Sequence, residues 1–253
     1  MPDNVTIVDK KLYWDADGER RIESGVSKCV LFPMGSNGTY EAGVAWNGIT
    51  SINENPGGAD LTDLYADNQK YASLRAAETF ACTIEAYMYP DEWAECDGSA
   101  VPTGATGVFL GQQSRKAFAL CYRTEIGDDA HPGMDKGYKL HFVYNCTASP
   151  SGRSYATINN SPDAITFSWE ASSTPTKVDG MENLYKACST ITIDSTKVEN
   201  AQYLENLERY VYGTANTAEE GQTSNAVDAA MPSPAEVINF IKAGNKTGTT
   251  GNG

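Results

Sequence analysis

The densest set of side chains able to do chemistry is the run YPDEWAECDG at 89–98, which places Asp91, Glu92, Glu95 and Asp97 within seven residues. Carboxylate pairs drive glycoside hydrolysis, one protonating the leaving group while the other attacks or activates water. The local sequence gives these acids a plainer task. Pro90 suits the first position of a short helix, Asp91 and Glu92 suit the positive end of its dipole, and Gly98 suits its stop. A second trace of chemistry, Asp15-Ala16-Asp17-Gly18, opens like a calcium loop and fails on spacing. Its glycine arrives two positions early, and the twelfth position is Val26 where such a loop carries Glu. It reads instead as the Asp-Gly tip of a hairpin between 12–14 and 21–22.

The other reactive types are scattered. His131 lies in the Gly/Asp/Pro loop at 127–137, and His141 falls on the mainly polar face of an alternating strand. Neither adjoins a serine or cysteine motif, and there is no G-x-S-x-G and no P-loop. The six cysteines (Cys29, Cys82, Cys96, Cys121, Cys146, Cys188) are dispersed with no C-x-x-C pair, which favours reduced thiols over disulfides or zinc. The residues therefore nominate no catalytic, cofactor or metal site, and the expectation is a protein that is not an enzyme.

Charge narrows the partners. The 253 residues carry 19 basic and 33 acidic side chains, a net of −14, and the pI is near 4.5. Gripping a phosphate backbone needs a basic surface that displaces counterions, so this chain is expected to repel nucleic acid. Stretch 43–98 holds ten acids against Lys70 and Arg75, a net of −8, so the charge is concentrated there. No apolar run approaches the roughly 20 residues of a spanning helix, and MPDNVTIVDK lacks the basic-then-apolar layout of a secretory signal.

The elements that would position these groups are mainly strands. Runs 43–52 and 80–89 alternate, with Val44, Trp46 and Ile52 on one face and Phe80, Cys82, Ile84 and Met88 on another. Between them, 53–63 holds Pro56, Gly57 and Gly58, and 64–75 is weakly patterned; together they predict a long acidic projection without regular structure. Further strands are expected at 27–32, 109–113, 117–126, 138–147, 165–171 and 189–193. In 138–147, Tyr138, Leu140, Phe142, Tyr144 and Cys146 oppose Lys139, His141, Val143, Asn145 and Thr147. Thr196-x-x-Glu199 reads as a capping box opening a helix that ends near Gly213, with Val198, Ala201, Leu204, Leu207 and Val211 as its apolar stripe. Ser233-Pro234-Ala235-Glu236 opens a second helix over 234–243, whose Val237, Ile238 and Ile241 can dock. The tail at 246–253 is expected to be disordered. The chain divides into 1–213 and a C-terminal linker, short helix and tail at 214–253.

Taken together, GVAWNGIT (43–50), DLYADNQKY (63–71), TIEAYMYPDEWAECDG (83–98), GYKLHFVYN (137–145), SPDAITFSWEASSTP (161–175), TIDSTKV (192–198) and PSPAEVINFIK (232–242) resemble, in order, the major tail tube protein of long-tailed bacteriophages. The resemblance implies a mainly β fold, an antiparallel β-sandwich or half-barrel with one or two flanking helices, assembled as stacked hexameric rings. It implies that strands of each subunit join a continuous barrel round a lumen through which double-stranded DNA passes without being gripped. Glu85, alternating opposite Ile84 and Ala86, and Glu170 are the candidate lumen-facing acids. Asn53, Asn55, Pro56, Gly57, Asp60, Asp63 and Tyr65 belong to the candidate connector at 53–71, which would contact a neighbouring subunit or ring. Residues 1–26 and 215–243 are candidate arms. The partners implied are copies of the chain, a tape measure protein, a tail terminator and a distal tail protein, in a virion tail assembled in the bacterial cytoplasm. Cofactors and membranes are not expected. The alternatives are a bacterial β-sandwich binding module for carbohydrate or a surface ligand, a carboxylate-dependent hydrolase, and the inner tube of a contractile tail or tailocin.

Overall fold

A computed structural model describes residues 14, 17–130, 133–157, 164–217 and 225–243. The chain is mainly β, 41% strand and 13% helix. In order it forms β1 (Ile22–Pro33), β2 (Val44–Ala45), β3 (Ile49–Glu54), β4 (Gly57–Gly58), β5 (Leu61–Ala66), β6 (Gln69–Arg75), β7 (Glu78–Ala86), α1 (Trp93–Cys96), β8 (Phe118–Gly127), β9 (Gly137–Ala148), β10 (Phe167–Ser173), β11 (Thr190–Asp194), α2 (Ala201–Tyr212) and α3 (Pro234–Ala243). The main antiparallel sheet runs β2-β1-β8-β9-β10-β7-β3, with β11 added to β9 and β4 to β7.

The two ends of that order are halves of one segment. The expected strand at 43–52 breaks at Asn47–Gly48, so its first half pairs with β1 and its second with β7. A strand that changes partner in this way turns a corner, and the sheet curls back on itself. The curl encloses one core containing Cys29, Leu31, Trp46, Cys82, Ile84, Phe118, Leu120, Val143, Cys146, Trp169 and Ala171. Trp93 of α1 closes one end of it, 4.6 Å from Trp46, 5.3 Å from Trp169 and 4.9 Å from Phe118 between ring centroids. Gly43 sits where the segment crosses β1: a Cβ there would lie 2.5 Å from the Phe32 ring and 2.8 Å from Val30.

A second core lies outside the sheet. Val30, Phe32, Cys121, Leu140, Phe142, Tyr144 and Ile193 meet Leu204, Leu207 and Val211 of α2 and Met231, Val237 and Phe240 beside or on α3. Strands β1, β8 and β9 are thus packed on both faces, the antiparallel counterpart of a fully covered sheet. The segment after 213 joins this body through α3. Its capping box is fully formed: Ser233 N–H donates to Glu236 Oε2 at 2.7 Å, and Glu236 N–H donates to Ser233 Oγ at 3.3 Å.

Several expectations need correction. No strand forms over 109–113; Leu110 alone bridges back to Ala100. The helix does not open at Thr196. Asp194 Oδ1 takes both the N–H and the hydroxyl of Thr196, making a 3-10 turn over Ser195–Lys197, and Asn200 caps α2 four residues later by accepting from Gln202 N–H at 3.0 Å. Ala201, placed in the apolar stripe, is exposed. Along β9 the alternation flips at Asn145, whose φ is +47°. Tyr144 therefore faces the helices while Cys146 joins the inner core. Of the expected N-terminal hairpin only the tip can be seen: Gly18 N–H donates to Asp129 Oδ1 at 2.8 Å, and residues 12, 13, 15 and 16 fall outside the described residues, as do His131 and the tail at 246–253.

Candidate functional site: an uncovered polar face and a projecting hairpin

The helices cover only half of the sheet. On β7, Phe80, Cys82, Ile84 and Ala86 point into the inner core, so Thr79, Ala81, Thr83 and Glu85 must point the other way. The register continues this outward row on both neighbours, setting Ser168 opposite Glu85, Glu170 opposite Thr83 and Ser172 opposite Ala81 on β10. On β3, Ser51 lies opposite Glu85 and Asn53 opposite Thr83. Glu85 and Glu170 are thus diagonal neighbours on one face, about 7 Å apart by ordinary sheet geometry. Glu85 accepts from Ser51 Oγ at 2.8 Å, and Asn55 Nδ2 donates to Thr83 Oγ1 at 3.3 Å. The outward positions of these three strands hold hydroxyls, amides and two carboxylates, and no lysine or arginine. No described helix packs on them.

The projection resolves into two parts. Residues 53–58 continue along β7: Asn55 N–H donates to Ala81 O at 2.8 Å, and Gly57 and Gly58 pair with Thr79 and Glu78. Residues 61–75, expected to be irregular, form the two-stranded hairpin β5–β6. Its tip is Asp67-Asn68 with φ of +50° and +61°, the left-handed pair that a type I′ turn requires and that Asx residues tolerate. Pro56 precedes β4, and Asp60 O accepts from Ala76 N–H at 2.9 Å where the hairpin leaves the sheet. Asp63 accepts from Lys70 at 2.8 Å and from Ser73 at 2.6 Å, which holds its carboxyl below the usual carboxylate range. Register places Leu61, Asp63, Tyr65, Lys70, Ser73 and Arg75 on one face, and Thr62, Leu64, Ala66, Gln69, Ala72 and Leu74 on the other; Tyr71 is the bulged residue. Leu74, Tyr65 and Tyr71 are 57%, 71% and 79% exposed.

The acids of 89–98 have structural partners. Asp97 pairs with Arg115 and Arg153, Glu95 pairs with Lys116, and Asp91 and Glu92 are exposed at the turn before α1. Gly98, φ +80°, ends that helix as expected.

A polar network that the sequence reading missed lies at the mouth of the inner core. His141 shares the inner face of β9 with Val143 and stacks on Tyr122, 4.8 Å between centroids and 6° between planes. Tyr122 donates to Glu54 Oε1 at 2.5 Å. Thr124 Oγ1 lies 2.9 Å from His141 Nε2 and donates to Glu23, which also pairs with Lys139. Burial lowers the His141 pKa, against the pull of Glu54 and Glu23. Glu23 is raised by burial but falls below its ordinary value through Lys139 and Thr124. The signal was the parity of Glu54, two residues after inward-facing Ile52; its partner lies 68 residues away. Beside this mouth a surface cleft of about 240 Å³ is lined by Arg21, Glu23, Lys139, Asp194 and Lys197 among others. That is below the size of an ordinary small-molecule site.

Among the described residues no group of three or more His, Cys, Asp or Glu side chains could hold a metal ion, and no helix is long and apolar enough to cross a membrane. Neither a protein-family model nor a curated protein matches this sequence.

Proposed function

We propose that this chain is a structural subunit that polymerises with copies of itself into a bacteriophage tail tube, as stacked hexameric rings around a DNA channel. The observation that carries the reading is the β5–β6 hairpin. A two-stranded ribbon is marginal in water on its own, and this one leaves the body with large apolar side chains exposed along both strands. Such an element is completed by another surface, and a hairpin that completes itself on a neighbour makes an assembly. The uncovered face of β3, β7 and β10 supplies the wall. Its carboxylates Glu85 and Glu170 and its lack of basic groups repel phosphates, so DNA in transit is not held. The tape measure, terminator and distal tail proteins would then be the partners at the core and ends of the tube, and the virion tail its location.

Electron microscopy of the purified protein tests the reading: rings or tubes of uniform bore are expected, and a monodisperse monomer at every concentration overturns it. Deleting residues 56–60 should leave a folded subunit that makes no tubes. Virions with Glu85→Lys and Glu170→Lys should eject DNA slowly, and normal ejection rates would remove the electrostatic part of the proposal.

A further inference from the structure

The hairpin has a chemical counterpart at the other end of β7. It joins the sheet where Gly57 and Gly58 pair with Thr79 and Glu78, at the first residues of that strand. Eight residues later the strand ends at Ala86, about 26–27 Å away at the usual rise, and α1 leads into a second projection. There Ala100 and Leu110 exchange both backbone hydrogen bonds, at 2.9 and 2.8 Å, and Gln113 N–H donates to Gly98 O at 2.9 Å. Between Asp97 and Arg115 this loop contains no charged residue, in a chain of net charge −14. Val108, Phe109 and Leu110 stand 48–50% exposed upon it.

We propose that the uncharged loop at 98–114 of a second copy receives the hairpin, on its Leu64–Leu74 face. The inference rests on the self-assembly reading above and specifies its contact. Charge selects the occupant. Copies carrying this net charge repel wherever acids meet, whereas the Thr62, Leu64, Ala72 and Leu74 face and the loop are both uncharged and apolar, so their approach desolvates no ion. Within one chain their points of attachment are set apart by the length of β7. The surfaces differ and lie at opposite ends, so the contact is head-to-tail and repeats along an open or stacked series instead of closing as a two-fold dimer. Each contact is small, so one pair associates weakly and the assembly is strongly concentration-dependent.

Cysteine cross-linking tests this in a Cys188→Ser background, since Cys188 is the one cysteine that is not buried. Leu64→Cys and Phe109→Cys chains, one carrying a mass tag, are mixed under assembly conditions and oxidised with copper–phenanthroline and dissolved oxygen. Mixed covalent dimers are expected, with none from either variant alone. A Leu64→Cys homodimer, or assemblies lacking the mixed dimer, overturns the contact while leaving self-assembly standing. A wild-type chain that stays monomeric removes both. As an independent measure, Leu64→Asp and Phe109→Asp should each raise the concentration for half-assembly by about tenfold or more. Truncation avoids setting two new carboxylates against each other: Leu64→Ala combined with Phe109→Ala should be scarcely worse than either truncation alone, as expected for two sides of one contact. Independent, additive losses would overturn the pairing, and unchanged melting temperatures show that the variants fold.

Discussion

The sheet has two halves under opposite constraints. Strands β1, β8 and β9 are packed on both faces, by the inner core and by α2 and α3. Strands β3, β7 and β10 share the inner core but turn a row of Ser, Thr, Asn and Glu to the outside. The chain's acidity follows the same division, since most of its net charge lies in 43–98, which builds β2 to β7 and α1. The covered half is therefore where folding free energy is gathered. The open half spends its outer face on something other than folding, and the proposal above assigns it to the tube wall.

Substitutions can break this division. The largest effect is expected from Phe142→Ala, which empties a fully buried position under α2 and should cost about 3–5 kcal/mol in chemical unfolding. A loss under 1 kcal/mol would mean that the helices merely rest on the sheet. Gly43→Ala comes next, because its new methyl meets Phe32 and Val30 at a cost of about 1–3 kcal/mol. A neutral result would show that the corner joining the two halves can shift. At the other extreme, Glu170→Gln on the open face should change folding stability by no more than about 0.5 kcal/mol. Destabilisation beyond 2 kcal/mol would place that face in the folding core after all.

The polar mouth sharpens the comparison through pH. His141 has a folded pKa below its ordinary 6.5, so its contribution is complete above 6.5 and declines as pH falls towards the folded value. Glu23 is depressed below 4.5, so its contribution is present above 4.5 and is lost as pH falls through its lower folded value. Both act in the same direction, and melting temperature should fall in two steps on acidification. His141→Gln should remove the step that begins near 6.5, and Glu23→Gln the one that begins near 4.5. If His141→Gln leaves the upper step intact, another group sets it.

Much of this was legible in the residues, for local reasons. Alternation put Glu85 and Glu170 each on the polar side of its own strand, the register of β7 and β10 then setting them on one face, and Ser233 and Glu236 announced α3 to the residue. What was missed depended on competition or distance. Thr196 has the type of a helix cap, but Asp194 is two residues away and takes its hydroxyl first. Asp67-Asn68 makes a tight turn without glycine, so the hairpin passed for a loop. The inward turn of His141 was hidden because both faces of β9 are packed, and its row also carries the buried Val143. The Tyr122–Glu54 bond joins strands that no local pattern relates.

The aromatic plug at the α1 end also makes the molecule its own optical probe. Of four tryptophans, Trp46, Trp93 and Trp169 lie against one another in the inner core, and Trp14 is 78% exposed. Replacing Trp14 with Phe would leave an emission spectrum that reports only on the α1 end of the inner core. The hairpin has tyrosines and no tryptophan, so light absorbed at the red edge of the indole band would follow unfolding of the body, blind to whatever the hairpin is doing.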